Sequence, residues 1–433
     1  MLDNVDRIEP PAPDSFLREY VFRGRPVVIT GLFDGSPVRR LEDPAVLRTE
    51  LGAMPVEVRE GDVERLLRGE GEAPGRRWPF GRLLDHLDAD PSAVERAAEL
   101  PCPPELAGLL EPPAYCGSGE VVSHLFAAGP GSCAHLHYDG DLCDVLMLQV
   151  TGRKRYVVVD PAHTRKLRPE DRPGVQRTSG WFLQHLTEPE LDAFLAWAGG
   201  WHCVLDPGET LYIPAAAWHW VQYPDTAVSV NFRFWSCRAL RLLAEVVPVR
   251  TVEWQALAAH FRRQDALGDD DEKVLAELVG ACRAGASPAA VQALLVDLCA
   301  RLGLDVAGPP LDTADWDRRR ATPPPDLPPP PPAPRFRPDT RVALADGCSL
   351  VVPLRGGGVV LARHGRLAAQ VGPDPTYPWT LGVLGRIDRV PGLPATELAA
   401  GALVDVDTLT AFLDAMGEAG WVQALDAQEP VRS

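Results

Sequence analysis

Long apolar runs, paired cysteines and an excess of basic residues are what this sequence lacks. No uninterrupted apolar stretch reaches the roughly 20 residues a helix needs to cross a bilayer, which argues against membrane insertion. The nine cysteines are scattered, odd in number and without a CxxC pair, so no disulfide framework is written in their spacing. They read as small hydrophobes, Cys133 and Cys143 included. The N-terminal "MLDNVDRIEPPAPDSF" has no basic and then apolar run of the kind that directs secretion. Together these absences give the expectation of a reduced, cytoplasmic protein. Lys and Arg total 43 against 60 Asp and Glu, a formal charge of -17. A polyanion would be repelled, so nucleic acid is not the expected partner.

What is present is enough for more than one folded unit: 433 residues with 45% apolar content. The run "ATPPPDLPPPPPAPRFRP", residues 321–338, removes backbone donors and favours a stiff spacer. Upstream, "RPVVITGLF", "DVLMLQV", "KRYVVVDP", "ETLYIPA" and "AVSVNFRFW" are short β-branched or aromatic runs bounded by Gly, Pro and Asp. They predict a mainly β barrel or sandwich with helices at its N-terminal flank, over residues 1–237. Residues 238–320 read helical, with Ser287 as N-cap and Pro288 at the first helical position. That region is either a dimerisation or lid element or simple packing. After the spacer, residues 339–433 combine hairpin-like strands with an amphipathic helix in "VDVDTLTAFLDAMGEAGWVQAL", closed near Gly420. This suggests a winged-helix-like module. From Pro334 onward nine basic residues face eleven acidic ones, so a peptide or protein suits it better than DNA.

The chemistry gathers in "CAHLHYDGDLCDVLMLQVTGRKRYVVVDP". Side chains alternate along a strand, so His137 and Asp139 are expected on one face, an imidazole and carboxylate pair suited to a divalent transition metal. His219, in "DPGETLYIPAAAWHWV", would complete two histidines and one carboxylate, leaving positions open on the metal. Lys154, on the next strand, would need an anionic partner if buried, and a dicarboxylate supplies one.

These motifs, with "VSVNFRF" and the entry "SFLREYVFRGRPVVITGLF", resemble the JmjC or cupin-like iron(II) and 2-oxoglutarate oxygenases, nearest in pattern to the asparaginyl hydroxylases and ribosomal oxygenases. The resemblance implies a double-stranded β-helix fold and the use of Fe(II), 2-oxoglutarate and O2. Carried over by position, it makes His137, Asp139 and His219 the iron ligands. Lys154 would pair with the distal carboxylate of 2-oxoglutarate and Asn231 would bond its metal-bound end. Hydroxylation of a side chain in a peptide or protein is the implied outcome. A free amino acid or small metabolite as substrate, N-demethylation, and a non-enzymatic metal-binding cupin are the alternatives.

The sequence departs from that pattern at two places. The spacing after "HYD" is lengthened by Gly140 and Asp141, so Asp141 either supports the ligands or replaces one. His124, in "VVSHLFAAGPG", and the apolar Ala134 stand where relatives often place an Asn or a Thr, and His124 joins the residues expected at the co-substrate. Arg233 shares a face with Ser229 and Asn231 and either binds a 2-oxoglutarate carboxylate or forms a structural salt bridge. Asp144 either orients substrate or is a solvated turn acid. His135 reads as a structural hydrogen bonder and His202 as a less well placed substitute for His219. Tyr138, Trp218, Trp220 and Phe232 are candidates to wall the pocket.

Overall fold

The computed structural model describes residues 4–60, 75–91, 93–167, 169, 177–179, 181–264, 267–304, 306, 335–345, 348–354, 358–363, 366–371 and 379–425. In chain order its first strands are β1 (Arg7–Ile8), β2 (Val27–Ile29), β3 (Pro55–Glu60), β4 (Arg76–Pro79), β5 (Glu95–Pro101), β6 (Val122–Ala128) and β7 (Cys133–His137). They continue with β8 (Asp144–Thr151), β9 (Lys154–Val159), β10 (Gly200–Leu205), β11 (Thr210–Ile213), β12 (Trp218–Gln222) and β13 (Ala227–Phe234). One sheet runs β1-β2-β11-β8-β13-β6-β5-β3-β4 and a second runs β10-β9-β12-β7. Apart from the parallel β1–β2 pair, the strands of both sheets pair antiparallel.

The apolar runs split by alternation. In β8 all eight residues are buried, the pattern of a strand covered on both faces. Leu146, Leu148 and Val150 join an outer cluster with Phe16, Val27 and Leu84. Val145 and Met147 point the other way, into a cluster that draws Tyr156, Val158, Cys203 and Val221 from the second sheet. That shared cluster is the interior of a two-sheet barrel, the double-stranded β-helix of the cupin-like fold. In β13, Val228, Val230, Phe232 and Phe234 belong to the outer cluster. Ser229, Asn231 and Arg233 are therefore left facing inward.

Residues 238–304 form helices Arg238–Val246, Val252–Arg262, Asp269–Arg283 and Pro288–Arg301. Ser287 accepts a hydrogen bond from the Ala290 amide at 3.3 Å and Pro288 opens the last of them, as N-cap chemistry requires. These helices share one compact unit with the barrel. Gln255 Nε2 donates to the Ala216 carbonyl at 2.7 Å, and Arg262, fully buried, donates to Ala215.

The smaller unit holds the residues from 335 onward. Its strand Arg341–Leu344 pairs with Leu393–Pro394 and Val422–Leu425. Helices Thr380–Arg389, Ala395–Ala402 and Val406–Glu418 accompany it, around a core that includes Val342, Ile387, Leu398, Leu409 and Leu413. Asp405 caps the last helix through the Thr408 amide at 2.8 Å, and Gly420 follows it at φ 73°. Strands Cys348–Leu354, Gly358–Arg363 and Arg366–Val371 form a separate antiparallel sheet. Residues 321–334, and the proline spacer expected there, lie outside the described residues. Among the described residues no helix is long and apolar enough to cross a membrane.

Candidate metal centre

His137 ends β7 and stands directly opposite His219 of β12 in the antiparallel register. Opposed residues project to the same face, and the two rings meet with centroids 4.4 Å apart. The chain takes three steps from Ala134 to His137 against two from Val221 to His219, a bulge of the kind that re-aims a side chain at a strand end. Asp139 lies beyond β7, so strand alternation does not account for its place beside His137. The turn after the strand carries it there, with Oδ1 3.7 Å from His137 Nε2. One donor atom from each of His137, Asp139 and His219 lies within 4.8 Å of the others.

The backbone fixes the proton on each imidazole. His137 Nδ1 donates to the His135 carbonyl at 2.6 Å and His219 Nδ1 to the Ala217 carbonyl at 3.2 Å. A carbonyl only accepts, so both Nε2 atoms carry a lone pair. Burial and the neighbouring His137 push His219 down to about 4, which keeps it neutral near pH 7. Burial would raise the Asp139 carboxyl, but the Arg233 guanidinium holds it well below the usual carboxylate range. Two imidazoles and one carboxylate, converging from two strands and a turn, fit a divalent transition metal.

Lys154 opens β9 and is 1% exposed. Its Nζ donates to Ser229 Oγ at 2.6 Å and lies 4.4 Å from the Tyr223 ring centroid and 5.0 Å from that of Phe126. Among the described residues no carboxylate pairs with it, and burial holds the amine well below its ordinary value. Asn231 Oδ1 accepts from the His124 amide at 2.9 Å. The His124 ring is half-buried, and burial followed by Arg233 lowers its pKa. Arg233 forms ion pairs: its Nη2 lies 2.9 Å from Asp139 Oδ2 and 2.6 Å from Asp141 Oδ2. Asp141 thus supports the ligands and is not among the clustered donors.

Several expectations need correction. Asp144 is neither solvated nor facing a pocket: it is fully buried, and its Oδ1 accepts from Tyr212 at 2.6 Å and from the Ala215 amide at 3.0 Å. Nor do the four aromatics wall the His219 face. Trp218 and Trp220 flank His219, so alternation sends them to the opposite side. Tyr138 meets Trp218 edge-on at 4.9 Å, and Phe232 stacks on Phe33 in the outer cluster. Phe126 and Tyr223, beside Lys154, are the inward aromatics instead. His135 bonds the Ser179 carbonyl at 2.8 Å, and His202 accepts from Arg155 Nε at 2.9 Å, so neither joins the triad. Burial raises Cys102 to about 11 and Cys116 to about 12.

Sequence reasoning missed the residues that hold the loop before His219. Ala216 sits there at φ 63°, gripped by Gln255 from the helix Val252–Arg262 and, through Ala215, by Asp144 and Arg262. The one local signal was an acid at the mouth of an apolar strand; Gln255 and Arg262 offered none.

Comparison with known proteins agrees with this geometry. The family described as "Cupin-like domain" matches residues 13–237. The chain is similar to "Lysine-specific demethylase 8" of Danio rerio, 26% identical over 54% of this chain and 58% of the relative. It is similar to "Lysine-specific demethylase JMJ30" of Arabidopsis thaliana, 28% identical over 52% and 53%. It also resembles "tRNA wybutosine-synthesizing protein 5" of Homo sapiens, 30% identical over 30% and 40%. The chain spans about half the length of the demethylases it matches.

Proposed function

Because the chain belongs to the cupin-like domain family over residues 13–237, we propose that it is an Fe(II)- and 2-oxoglutarate-dependent oxygenase that hydroxylates a side chain of a peptide or protein. The carrying observation is the convergence of His137, Asp139 and His219 within 4.8 Å, both imidazoles presenting Nε2. This donor set would hold the metal, and Lys154, a buried amine that no carboxylate among the described residues pairs with, would take the far carboxylate of 2-oxoglutarate. When bound, the metal and 2-oxoglutarate reduce O2, one oxygen atom entering succinate as CO2 leaves and the other entering the substrate C–H bond.

The chain's own residues orient and insulate. The carbonyls of His135 and Ala217 keep both rings in the ligating tautomer. Ser229 aims the Lys154 ammonium, and Phe126 and Tyr223 shield it from water, which strengthens its pull on an anion. Asn231, fixed by the His124 amide, would bond the metal-bound end of 2-oxoglutarate.

The test is direct. Purified protein given Fe(II), 2-oxoglutarate and O2 is expected to form succinate slowly even without substrate, and His137→Ala to abolish it. No succinate above the metal-free control from wild type would sink the reading. N-demethylation is the second reading, favoured by relatives named as lysine-specific demethylases. It would release formaldehyde from a methylated peptide, whereas hydroxylation leaves a stable added oxygen.

A further inference from the structure

Arg233 and Asp141 stand against the proposed metal ligands without being ligands. Arg233 is 7% exposed, and both of its ion pairs run through one nitrogen, Nη2, while its Nε is buried without a partner. The division of Asp139 matters here: Oδ1 faces His137 Nε2, and Oδ2 faces Arg233 at 2.9 Å. A carboxylate with one oxygen held by a guanidinium has only the other to give a metal.

The loop that supplies Asp141 is fastened from outside. Arg250 Nε donates to the Gly140 carbonyl at 3.0 Å and Trp235 Nε1 to the Asp141 carbonyl at 2.9 Å. The Cys143 amide reaches Asp141 Oδ1 at 3.2 Å, and Leu142 turns the chain at φ 51°, a conformation a branched side chain resists. A Cβ at Gly140 would come within 2.7 Å of Arg177. Five elements of sequence thus place one carboxylate against one buried cation.

Resting on the metal reading above, we propose that Arg233 and Asp141 are a positioning pair: Arg233 restricts Asp139 to one-oxygen ligation, and Asp141 takes up part of the Arg233 charge so that the cation does not expel the metal. Arg233 alone would draw Asp139 away and repel a divalent ion. Asp141 alone would add a free carboxylate beside the site. Together they keep three metal positions open for the keto acid and O2 at a workable affinity.

The pair makes opposed predictions for metal binding, which can be read by Mn(II) titration followed by electron paramagnetic resonance with no turnover involved. Asp141→Asn leaves the Arg233 charge unshared and is expected to weaken Mn(II) about tenfold. Arg233→Gln frees both carboxylates and is expected to tighten it about tenfold. The double variant should return to within about threefold of wild type. Arg233→Lys keeps the charge and should also stay within about threefold, and circular dichroism checks that each variant is folded. A merely structural role would make both single variants bind more weakly; that result, or no change in either, overturns the proposal. If His137→Ala binds Mn(II) as well as wild type, the metal reading has failed, and the pair with it.

Discussion

Lys154 spends a charge where solvation is poorest. Its ammonium has one hydroxyl and two ring faces for company, and burial holds its pKa well below the ordinary value. An anionic partner reverses that, so binding of 2-oxoglutarate is expected to draw in a proton, and its affinity to fall as pH rises through the unliganded pKa. Calorimetric titration of metal-loaded protein in two buffers of different ionisation enthalpy measures the proton count. An uptake that stays zero at every pH, including values at which the free amine is neutral, would show that Lys154 does not receive the anion. Lys154→Ala should weaken 2-oxoglutarate by about 3 kcal/mol. Asp144 is the contrasting case: Asp144→Ala would leave the Tyr212 hydroxyl and Ala215 amide buried and unpaired, costing about 3 kcal/mol in urea unfolding. A cost below about 1 kcal/mol would mean that water replaces the carboxylate there. The gathering of His137, Asp139 and His219 and the burial of Lys154 were legible because each sits in a short motif at the end of an apolar strand. Asp144 and Arg233 were not, because their partners, Tyr212 with Ala215 and Asp139 with Asp141, lie 68, 71, 94 and 92 residues away along the chain.

At the scale of elements, period-two alternation carried most of the fold. It put Ser229, Asn231 and Arg233 on one face of β13, as the structure has them, and the same rule explains why Trp218 and Trp220 turn away from His219. It fails where pairing is irregular: at the β7 bulge, and past its end, where a turn delivers Asp139. The tight link between β8 and β9 is the element that sets Lys154. Gln149 Nε2 donates to the Thr151 and Gly152 carbonyls at 2.8 and 3.0 Å. Gly152 lies at φ 65°, and a Cβ on it would come within 2.1 Å of the Thr226 carbonyl oxygen. Gly152→Ala is therefore expected to destabilise the protein by more than about 2 kcal/mol and to weaken 2-oxoglutarate through a displaced Lys154. Thermal melting and 2-oxoglutarate titration of the variant check both; an unchanged melting temperature would show that the turn tolerates the shift.

Over the whole molecule, the described residues fall into two compact units, each with its own apolar cluster. Every residue proposed to touch metal or 2-oxoglutarate belongs to the larger one. The smaller unit holds no member of the triad and none of the residues around Lys154. From Pro334 onward nine basic residues face eleven acidic ones, so its sequence offers no excess of positive charge for a polyanion, and a polypeptide is the ligand proposed for it. If the smaller unit recruits a polypeptide substrate, deleting the residues after Arg320 should leave substrate-independent succinate formation near the full-length rate. The same deletion should raise KM for the polypeptide with little change in kcat, because remote binding is lost while the reacting centre is intact. A free amino acid or metabolite as substrate predicts instead that KM is untouched. Loss of substrate-independent succinate formation on deletion would show that the larger unit depends on the smaller one for its fold, contrary to the separate cores seen here.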